Sequence, residues 1–181
     1  VENKSRLMDV GIHNNRRFLL GGGAGLDAEI TRKVSEQRGT SSGLSKWIIP
    51  SISTCLRYSY PEIDVTIDGK PIAADAHYVI VGNCRYSAGV FPATPNALVD
   101  DGLLDVCILR NLNPLKLISL LPQVIVGKHI HRNDVDYHQC KEVILKQSSE
   151  IGVPLQIDGD PQGFIPASFS VEQKSLRVID H

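Results

Sequence analysis

The sequence contains no apolar run that approaches the roughly 18 to 20 residues of a membrane-spanning helix. Its N-terminus also has no charged segment followed by an apolar stretch, which a secretion signal would show. Nineteen Lys and Arg residues against 20 Asp and Glu residues give a net charge of -1, without the basic surface that nucleic-acid backbones require. We therefore expect a soluble, cytoplasmic protein that does not bind nucleic acid.

Cysteine and histidine clusters with metal-ligand spacing are also missing. The four cysteines, Cys55, Cys84, Cys107 and Cys140, lie far apart and form no C-x-x-C pair, which removes the usual zinc and redox signatures. We interpret them as small buried apolar residues. His129 and His131 could point from one strand face toward a metal, but no third ligand follows at a recognisable spacing. We favour a structural role for both.

A length of 181 residues, 42% of them hydrophobic, is enough for one well-buried core, so a single domain is the default. The chain opens on Val1 instead of Met, and a strand-like segment follows almost at once. Such a start suggests a fragment. We expect a further domain upstream.

Short alternating runs bounded by Gly, Asn and Asp predict many strands. A hairpin is expected around Asn14-Asn15, and further strands at 63–67, 77–82, 104–109, 143–146, 153–157, 167–171 and 176–179. Three segments have helical spacing instead, beginning at Leu26, Leu44 and Pro114. Pro50 should break the second helix, and Pro122 should interrupt the third. Gly127 should end the third helix. Residues 37–43 are expected to form a loop. This pattern predicts an antiparallel β-sandwich with two or three appended helices.

The segment Gly23-Ala24-Gly25-Leu26-Asp27-Ala28 fits G-x-G-x-x-A, follows a predicted strand and opens a predicted helix. That context is typical of a dinucleotide-binding turn. The expected acid about 20 residues further on is missing, because no Asp or Glu occurs from Arg38 to Pro61. A dinucleotide-binding oxidoreductase domain remains an alternative. The structural interpretation is that the glycines allow a sharp bend between strand and helix.

Residues 97–106, ALVDDGLLDV, hold three carboxylates around one glycine. Such a turn can offer carboxylate and carbonyl oxygens to a hard divalent cation. Asp100 and Asp101 should face opposite ways on an extended chain, so Asp101 at the turn is the better ligand. The alternative is an acidic hairpin rim without a metal.

Two similar turns occur in the sequence, TIDGKP at 66–71 and QIDGDP at 156–161. Asp-Gly between strands predicts a tight hairpin turn, because both central residues need positive φ. The next residue differs: Lys70 in the first copy, Asp160 in the second. If Asp158 shapes the turn, Asp160 projects beyond it and could accept a proton or position a hydroxyl. Phosphoryl transfer suits such a weak base, since it depends mainly on positioning and charge neutralisation.

Three ordered segments together, FLLGGGAGLDAEI, IVGNCRYSAGVFPATPNALVDDGLLDVCIL and VPLQIDGDP, resemble the C-terminal domain of the diacylglycerol kinase-like lipid kinases. This superfamily includes bacterial lipid kinases, diacylglycerol kinases, ceramide kinases and sphingosine kinases. The resemblance covers the chain from about Met8 to Val178. It implies a β-sandwich domain that works with an N-terminal nucleotide-binding domain, with ATP between the two.

The resemblance also implies roles for individual residues. A structural Mg²⁺ would be held by Asp101 and the main-chain carbonyls of Leu98 and Leu103. The proton acceptor would be Asp160, although relatives carry D-G-E where this chain has the shorter D-G-D. Further residues are expected to line the cleft for substrate or nucleotide: Gly25, Asp27, Asn83, Arg85 and Asp158.

No G-G-D-G-T, the nucleotide-binding motif of the family, occurs in these 181 residues, so this chain alone is expected to be inactive. The resemblance implies a lipid substrate and ATP as partners, and it raises a peripheral membrane contact and a homodimer as hypotheses. The apolar helices around Trp47 and from Leu115 to Val126 could line an acyl chain or simply form core. A lipid-binding module without catalysis stays open as another alternative.

Overall fold

The computed structural model describes residues 4–36, 45–87, 91–148 and 150–180. Within these ranges it contains eleven strands and three α-helices. The strands are β1 (Lys4–His13), β2 (Arg16–Phe18), β3 (Gly21–Gly25), β4 (Ile63–Ile67), β5 (Lys70–Gly82), β6 (Leu104–Arg110), β7 (Val135–Cys140), β8 (Glu142–Gln147), β9 (Pro154–Ile157), β10 (Asp160–Phe164) and β11 (Ala167–Asp180). The helices are α1 (Leu26–Glu36), α2 (Ser45–Arg57) and α3 (Pro114–Ile125).

All the strands of the described residues belong to one hydrogen-bonded sheet, in which neighbouring strands pair antiparallel. The main path runs β10-β9-β3-β5-β4-β8-β11-β1-β2, and β6 and β7 branch from β5. The long strand β5 therefore has three partners, β3, β4 and β6. The predicted fold class, mainly antiparallel β with appended helices, is confirmed.

The main core lies where apolar side chains of the curled sheet meet. Its largest fully buried members include Phe18, Ile63, Leu104, Leu145 and Phe169. Phe18 and Phe169 meet edge to face at 6.0 Å between ring centroids, an arrangement that the ring quadrupoles favour. A smaller cluster forms beneath α3 around Leu109 and Leu120.

The glycine-rich segment is itself a strand, which excludes the dinucleotide-binding turn. β3 pairs antiparallel with both β5 and β9, whereas a dinucleotide fingerprint needs a parallel β-α-β unit. The glycines are needed because the neighbours approach closely. A Cβ on Gly22 would come within 2.7 Å of Ile157 and Phe169, and one on Gly25 (φ +109°) within 2.7 Å of the His77 carbonyl oxygen.

The helix positions were predicted well, but the effect of proline was not. α2 runs through Pro50 and α3 runs through Pro122 without a break, so both predicted interruptions are wrong. A proline in a helix removes one i→i−4 hydrogen bond, and packing of the flanking turns can compensate. The N-terminus of α3 is as predicted: the Asn113 side chain accepts a hydrogen bond from the Lys116 N–H at 3.0 Å, and Pro114 follows it. The loop predicted at 37–43 and the side chain of Trp47 lie outside the described residues.

Three strands were not predicted, β3, β7 and β10: the glycines of β3 were expected to form a bend between strand and helix. The two strands expected at 167–171 and 176–179 are the continuous strand β11. Cys107 and Cys140 are buried as expected, whereas Cys55 and Cys84 are half-buried. No helix in the described part of the chain is both long enough and apolar enough to cross a bilayer.

Candidate functional site

Both Asp-Gly pairs form the expected two-residue hairpin turns. Asp68 and Gly69 have φ values of 46° and 77°, and Asp158 and Gly159 have 50° and 83°. Each aspartate also binds main-chain N–H groups of another segment: one carboxylate oxygen of Asp68 accepts from Lys141 at 3.0 Å and from Glu142 at 2.9 Å. The two turns therefore share the same backbone conformation at the aspartate and the glycine.

Asp158 anchors its turn to the start of β3. Its carboxylate accepts three main-chain N–H groups, from Leu19, Leu20 and Gly21, each at 2.9 Å. Its own N–H donates to the Gly21 carbonyl at 2.8 Å. With its oxygens committed to these bonds, Asp158 acts as a structural anchor of the cleft rather than as a free acid.

Asp160 is the first residue of β10 and pairs across the hairpin with Ile157. Its side chain is exposed. The turn therefore places a carboxylate at the surface immediately beyond a firmly anchored aspartate, as the sequence predicts. Lys70 occupies the equivalent position in the other hairpin.

The acidic loop before β6 separates its carboxylates into two environments. Asp101 is exposed, and its Oδ1 accepts the Leu103 N–H at 3.0 Å across Gly102. Asp105 is fully buried, where it accepts from the Tyr137 hydroxyl at 2.7 Å and from the Gln139 amide at 3.4 Å. Burial raises the pKa of Asp105, with a smaller contribution from the charge of Asp101. Asp105 therefore belongs to the protein interior, and Asp101 to the surface.

Asp9, a buried carboxylate on β1, holds the acidic loop in place. Its Oδ2 accepts the Gly102 N–H and its Oδ1 the Lys174 N–H, both at 2.6 Å. Its own N–H donates to the Val99 carbonyl at 2.7 Å. Lys174 lies in an irregularity of the β1–β11 pairing and has φ 49°. Sequence reasoning missed Asp9, because a lone acid in a strand does not show which distant N–H groups it meets.

Asn83, directly after β5, connects β1 to the segment that Asp158 anchors. Its amide nitrogen donates to the Asp9 carbonyl at 3.1 Å and to the Leu19 carbonyl at 3.0 Å. Its main-chain N–H donates to the Leu20 carbonyl at 3.0 Å. The side chain is fully buried, so these contacts are shielded from competing water.

A continuous set of hydrogen bonds thus joins the two acidic turns. It runs from the Asp158 carboxylate through the main chain of Leu19 to Asn83, and from Asn83 through Asp9 to Gly102. Only three residues, Leu19, Asn83 and Asp9, intervene between Asp158 and Gly102 along this connection.

The remaining predicted cleft residues occupy different settings. Asp27, in the first turn of α1, accepts from the Gln156 amide at 2.9 Å, next to the D-G-D turn. Gly25 lies at the β3–α1 junction against the backbone of β5, where its lack of a side chain has a structural cause. Arg85 is exposed two residues beyond Asn83, with its guanidinium 5.7 Å from the Tyr86 ring centroid.

The two histidines are not on a strand face as the metal hypothesis assumed. His129 and His131 lie in a short 3₁₀ helix rather than a strand. His129 is buried with its Nε2 3.1 Å from the Ala93 carbonyl oxygen, and burial lowers its pKa. Their expected structural role agrees with this placement.

The predicted magnesium ligands are chemically suited to a hard cation. In the described ranges no group of three His, Cys, Asp or Glu side chains could hold a metal, so an ion at this loop would depend on main-chain oxygens. Asp101 offers an exposed carboxylate, and Leu98 and Leu103 are main-chain positions on either side of it. Asp9 fixes the loop through Val99 and Gly102. An all-oxygen set of this kind fits Mg²⁺.

Fold and site together define an antiparallel β domain that presents two anchored acidic turns. The family model described as the YegS C-terminal NAD kinase beta sandwich-like domain matches residues 23–180. The chain belongs to this family.

Relatives and solved structures agree with that assignment. The chain is 24% identical over 178 residues to a protein named diacylglycerol kinase from Staphylococcus carnosus (strain TM300), and 22% identical over 179 residues to one from Bacillus subtilis (strain 168). The matches cover 98% and 99% of this chain but 58% of each relative. A crystal structure described as a diacylglycerol kinase from Bacillus anthracis strain Sterne superimposes with a TM-score of 0.71 at 22% identity. It matches 98% of this chain and 57% of that one, which shows the fold.

Proposed function

We propose that this chain is the C-terminal half of an ATP-dependent lipid kinase, which works with a nucleotide-binding domain that carries G-G-D-G-T. The observation that supports it best is the hydrogen-bonded connection between the D-G-D turn and the D-G-L turn through Asn83 and Asp9. Phosphoryl transfer needs a positioned acceptor hydroxyl and nearby charge neutralisation. A rigid link between a proton acceptor and a cation site meets both needs.

In the proposed reaction the lipid hydroxyl oxygen attacks the γ-phosphorus of ATP. A bond forms between that oxygen and phosphorus, and the bond from phosphorus to the β,γ-bridging oxygen breaks to release ADP. The hydroxyl proton passes to the carboxylate of Asp160, whose exposed position at the start of β10 suits contact with a substrate. Asp158 keeps this turn in place through its three main-chain hydrogen bonds.

Magnesium would be held by the Asp101 carboxylate and the carbonyls of Leu98 and Leu103. When bound, it supplies positive charge that stabilises a charged substrate or transition state. Asp9 supports this role by fixing the loop at Gly102 through a bond of 2.6 Å. Because both Asp9 oxygens accept N–H groups, we assign Asp9 no coordinating role.

The substrate class follows from the names of the relatives, and a diacylglycerol is the first lipid to test. A peripheral membrane contact fits a lipid substrate, and α3 offers exposed apolar side chains at Leu115, Ile118, Leu121 and Ile125. The other face of α3 is core, as one alternative expected, because Leu120 is buried and Leu117 and Val124 pack against the smaller cluster. The homodimer and the cytoplasmic location stay predictions.

The test replaces Asp160 by Asn in the full-length protein. We expect turnover of ATP and diacylglycerol in mixed micelles to fall about a hundredfold or more, because a general base contributes at least that much. Thermal unfolding should be unchanged, since Asp160 is exposed. Glu62→Gln, another exposed carboxylate, serves as the control and should keep wild-type turnover.

Full turnover in the Asp160→Asn variant would contradict the role of Asp160. The isolated chain gives a second test: we expect it to bind lipid vesicles without transferring phosphate from ATP. If the full-length protein binds diacylglycerol but never phosphorylates a lipid, the non-catalytic lipid-binding module is the better interpretation.

A further inference from the structure

Gln156 makes a second attachment to the D-G-D turn, besides the bonds that Asp158 makes to the start of β3. It lies near the end of β9 and is almost fully buried. Its Oε1 accepts the Gly159 N–H at 2.9 Å, and its Nε2 donates to the Asp27 Oδ2 at 2.9 Å. Both ends of one amide are thus used, and a single side chain connects the turn to helix α1.

The position of Asp27 is set by the sheet beneath it. Gly23 pairs with Gln156 across β3 and β9, and a Cβ on Gly23 would lie 3.0 and 3.1 Å from the Asp27 carboxylate oxygens. Any larger residue at position 23 would therefore crowd the acceptor of the Gln156 amide. The absence of a side chain at Gly23 therefore leaves room for the Asp27 carboxylate beside Gln156.

The tip of the turn is exposed at Gly159. A Cβ built on Gly159 has no heavy atom within 4 Å, so the tip of the turn makes no packing contact there. The hydrogen bonds of Asp158 hold the turn to the start of β3. The N–H of the next residue, Gly159, donates to Gln156, whose amide in turn donates to Asp27 on α1. Asp160 follows Gly159 directly, so its backbone position depends on both attachments.

We propose that Gln156 is a positioning residue, whose amide links Asp27 of α1 to the Gly159 N–H and thereby sets the position of Asp160. This inference rests on the proposed role of Asp160 as proton acceptor. Gln156 itself touches neither substrate nor the reacting atoms. Its effect acts through the main chain of the turn.

The surroundings of Asp27 make its hydrogen bond with Gln156 sensitive to an added negative charge at position 156. Tyr78 from β5 and Gln156 from β9 lie against its carboxylate. Tyr58, which follows α2, has a pKa that is raised mainly by burial and less by the charges of Glu29 and Asp27. Burial raises the pKa of Asp27 to about 6. A second carboxylate in place of Gln156 would therefore share a proton with Asp27 at low pH and repel it at high pH.

Two substitutions in the full-length protein test this link. Gln156→Leu removes both hydrogen bonds with a similar volume, and we expect kcat for diacylglycerol to fall about ten- to a hundredfold, with KM for ATP unchanged. Gln156→Glu keeps an acceptor for the Gly159 N–H but loses the donor to Asp27. We expect it to lose kcat at about pH 8 and to regain it, relative to wild type, at about pH 5.5 as the carboxylate pair takes up a proton. A purely structural role would lower thermal stability without this pH-dependent recovery of kcat.

Amide hydrogen exchange at Gly159, followed in the same variants, separates this inference from the proposed function. Faster exchange in Gln156→Leu supports the link even if Asp160 has no catalytic role. Wild-type kcat in Gln156→Leu, together with lost turnover in Asp160→Asn, would overturn the positioning role and leave the proposed function intact. Should Gln156→Leu fail to fold, the absence of any low-pH recovery in Gln156→Glu would overturn it equally.

Discussion

The carboxylate of Asp9 accepts the main-chain N–H of Gly102 at 2.6 Å, across 93 positions of sequence. This bond attaches the acidic loop to β1, while the other oxygen of Asp9 accepts the Lys174 N–H of β11. The side chain is fully buried. One residue of β1 therefore binds both the proposed magnesium loop and β11.

Replacing Asp9 by Ala is expected to lower the free energy of unfolding by about 3 kcal/mol or more, because two buried N–H groups lose their acceptors. Urea denaturation of the wild-type and variant proteins measures this loss. Asp100→Asn is the control, since that carboxylate is exposed in the same loop and its replacement should change stability by less than about 0.5 kcal/mol. Equal effects of the two substitutions would show that Asp9 does not anchor the loop.

Gly102 and Gly69 allow backbone strain to be separated from steric clash. Their φ values are nearly equal, +76° and +77°, but a Cβ on Gly102 would lie 2.1 Å from the Gln173 amide nitrogen, whereas one on Gly69 meets nothing within 4 Å. Gly69→Ala should therefore cost roughly 1 kcal/mol, the cost of the left-handed conformation. Gly102→Ala should cost about 1 to 3 kcal/mol more.

Replacing Gln173 by Ala in the Gly102→Ala background should recover part of the extra loss, because it removes the clashing amide. The double-mutant cycle, measured by urea denaturation, gives the coupling between the two positions. Additive effects would mean that the side chain of Gln173 moves away freely and that strain alone explains the cost.

Local patterns predicted those parts of the fold that local chemistry controls. Both Asp-Gly turns, the start of α3 at Asn113 and the strand β4 follow from turn propensity, capping and alternation. β10, with the sequence DPQGF, carries Pro and Gly and few apolar residues, so its strand conformation depends on pairing with β9. The helices through Pro50 and Pro122 likewise depend on tertiary packing.

The residues of the candidate site also divide into those that local sequence predicts and those that depend on tertiary contacts. Asp158 and Asp101 could be found from the sequence because each lies in a turn with a recognisable glycine. Asp9 and Gln156 could not, since their partners lie at Gly102, Lys174 and Asp27, far away in sequence. A buried polar residue becomes informative only when the fold shows which main-chain groups it satisfies.

Asp101→Asn is expected to weaken magnesium binding by the full-length protein at least about tenfold, because the substitution removes a negatively charged oxygen ligand. Isothermal titration with Mg²⁺ in the absence of lipid measures the affinity directly, and a magnesium titration of turnover gives a second readout. Asp100→Asn removes a neighbouring charge without removing the proposed ligand and controls for electrostatics. Identical affinity in the Asp101→Asn and Asp100→Asn variants would contradict the assignment of Asp101.

Asp27 should make the stability of the domain depend on pH in the acidic range. Burial raises its pKa from 3.8 to about 6, so between these values the folded protein binds more protons than the unfolded chain. Stability contributed by this group therefore decreases as pH rises through that window and is greatest below it. A difference of about two pKa units corresponds to about 3 kcal/mol.

Asp27→Asn removes the titration, and its side-chain oxygen can still accept a hydrogen bond from Gln156. We expect the wild-type protein to lose up to about 3 kcal/mol relative to this variant between about pH 4 and about pH 6.5, measured by urea denaturation at each pH. Above that range the difference should stay constant, because Asp27 is ionised in both states. A difference that does not change with pH would mean that the Asp27 carboxylate is as well solvated in the folded domain as in the unfolded chain, which the burial of this carboxylate, with its Oδ1 unpartnered among the described residues, argues against.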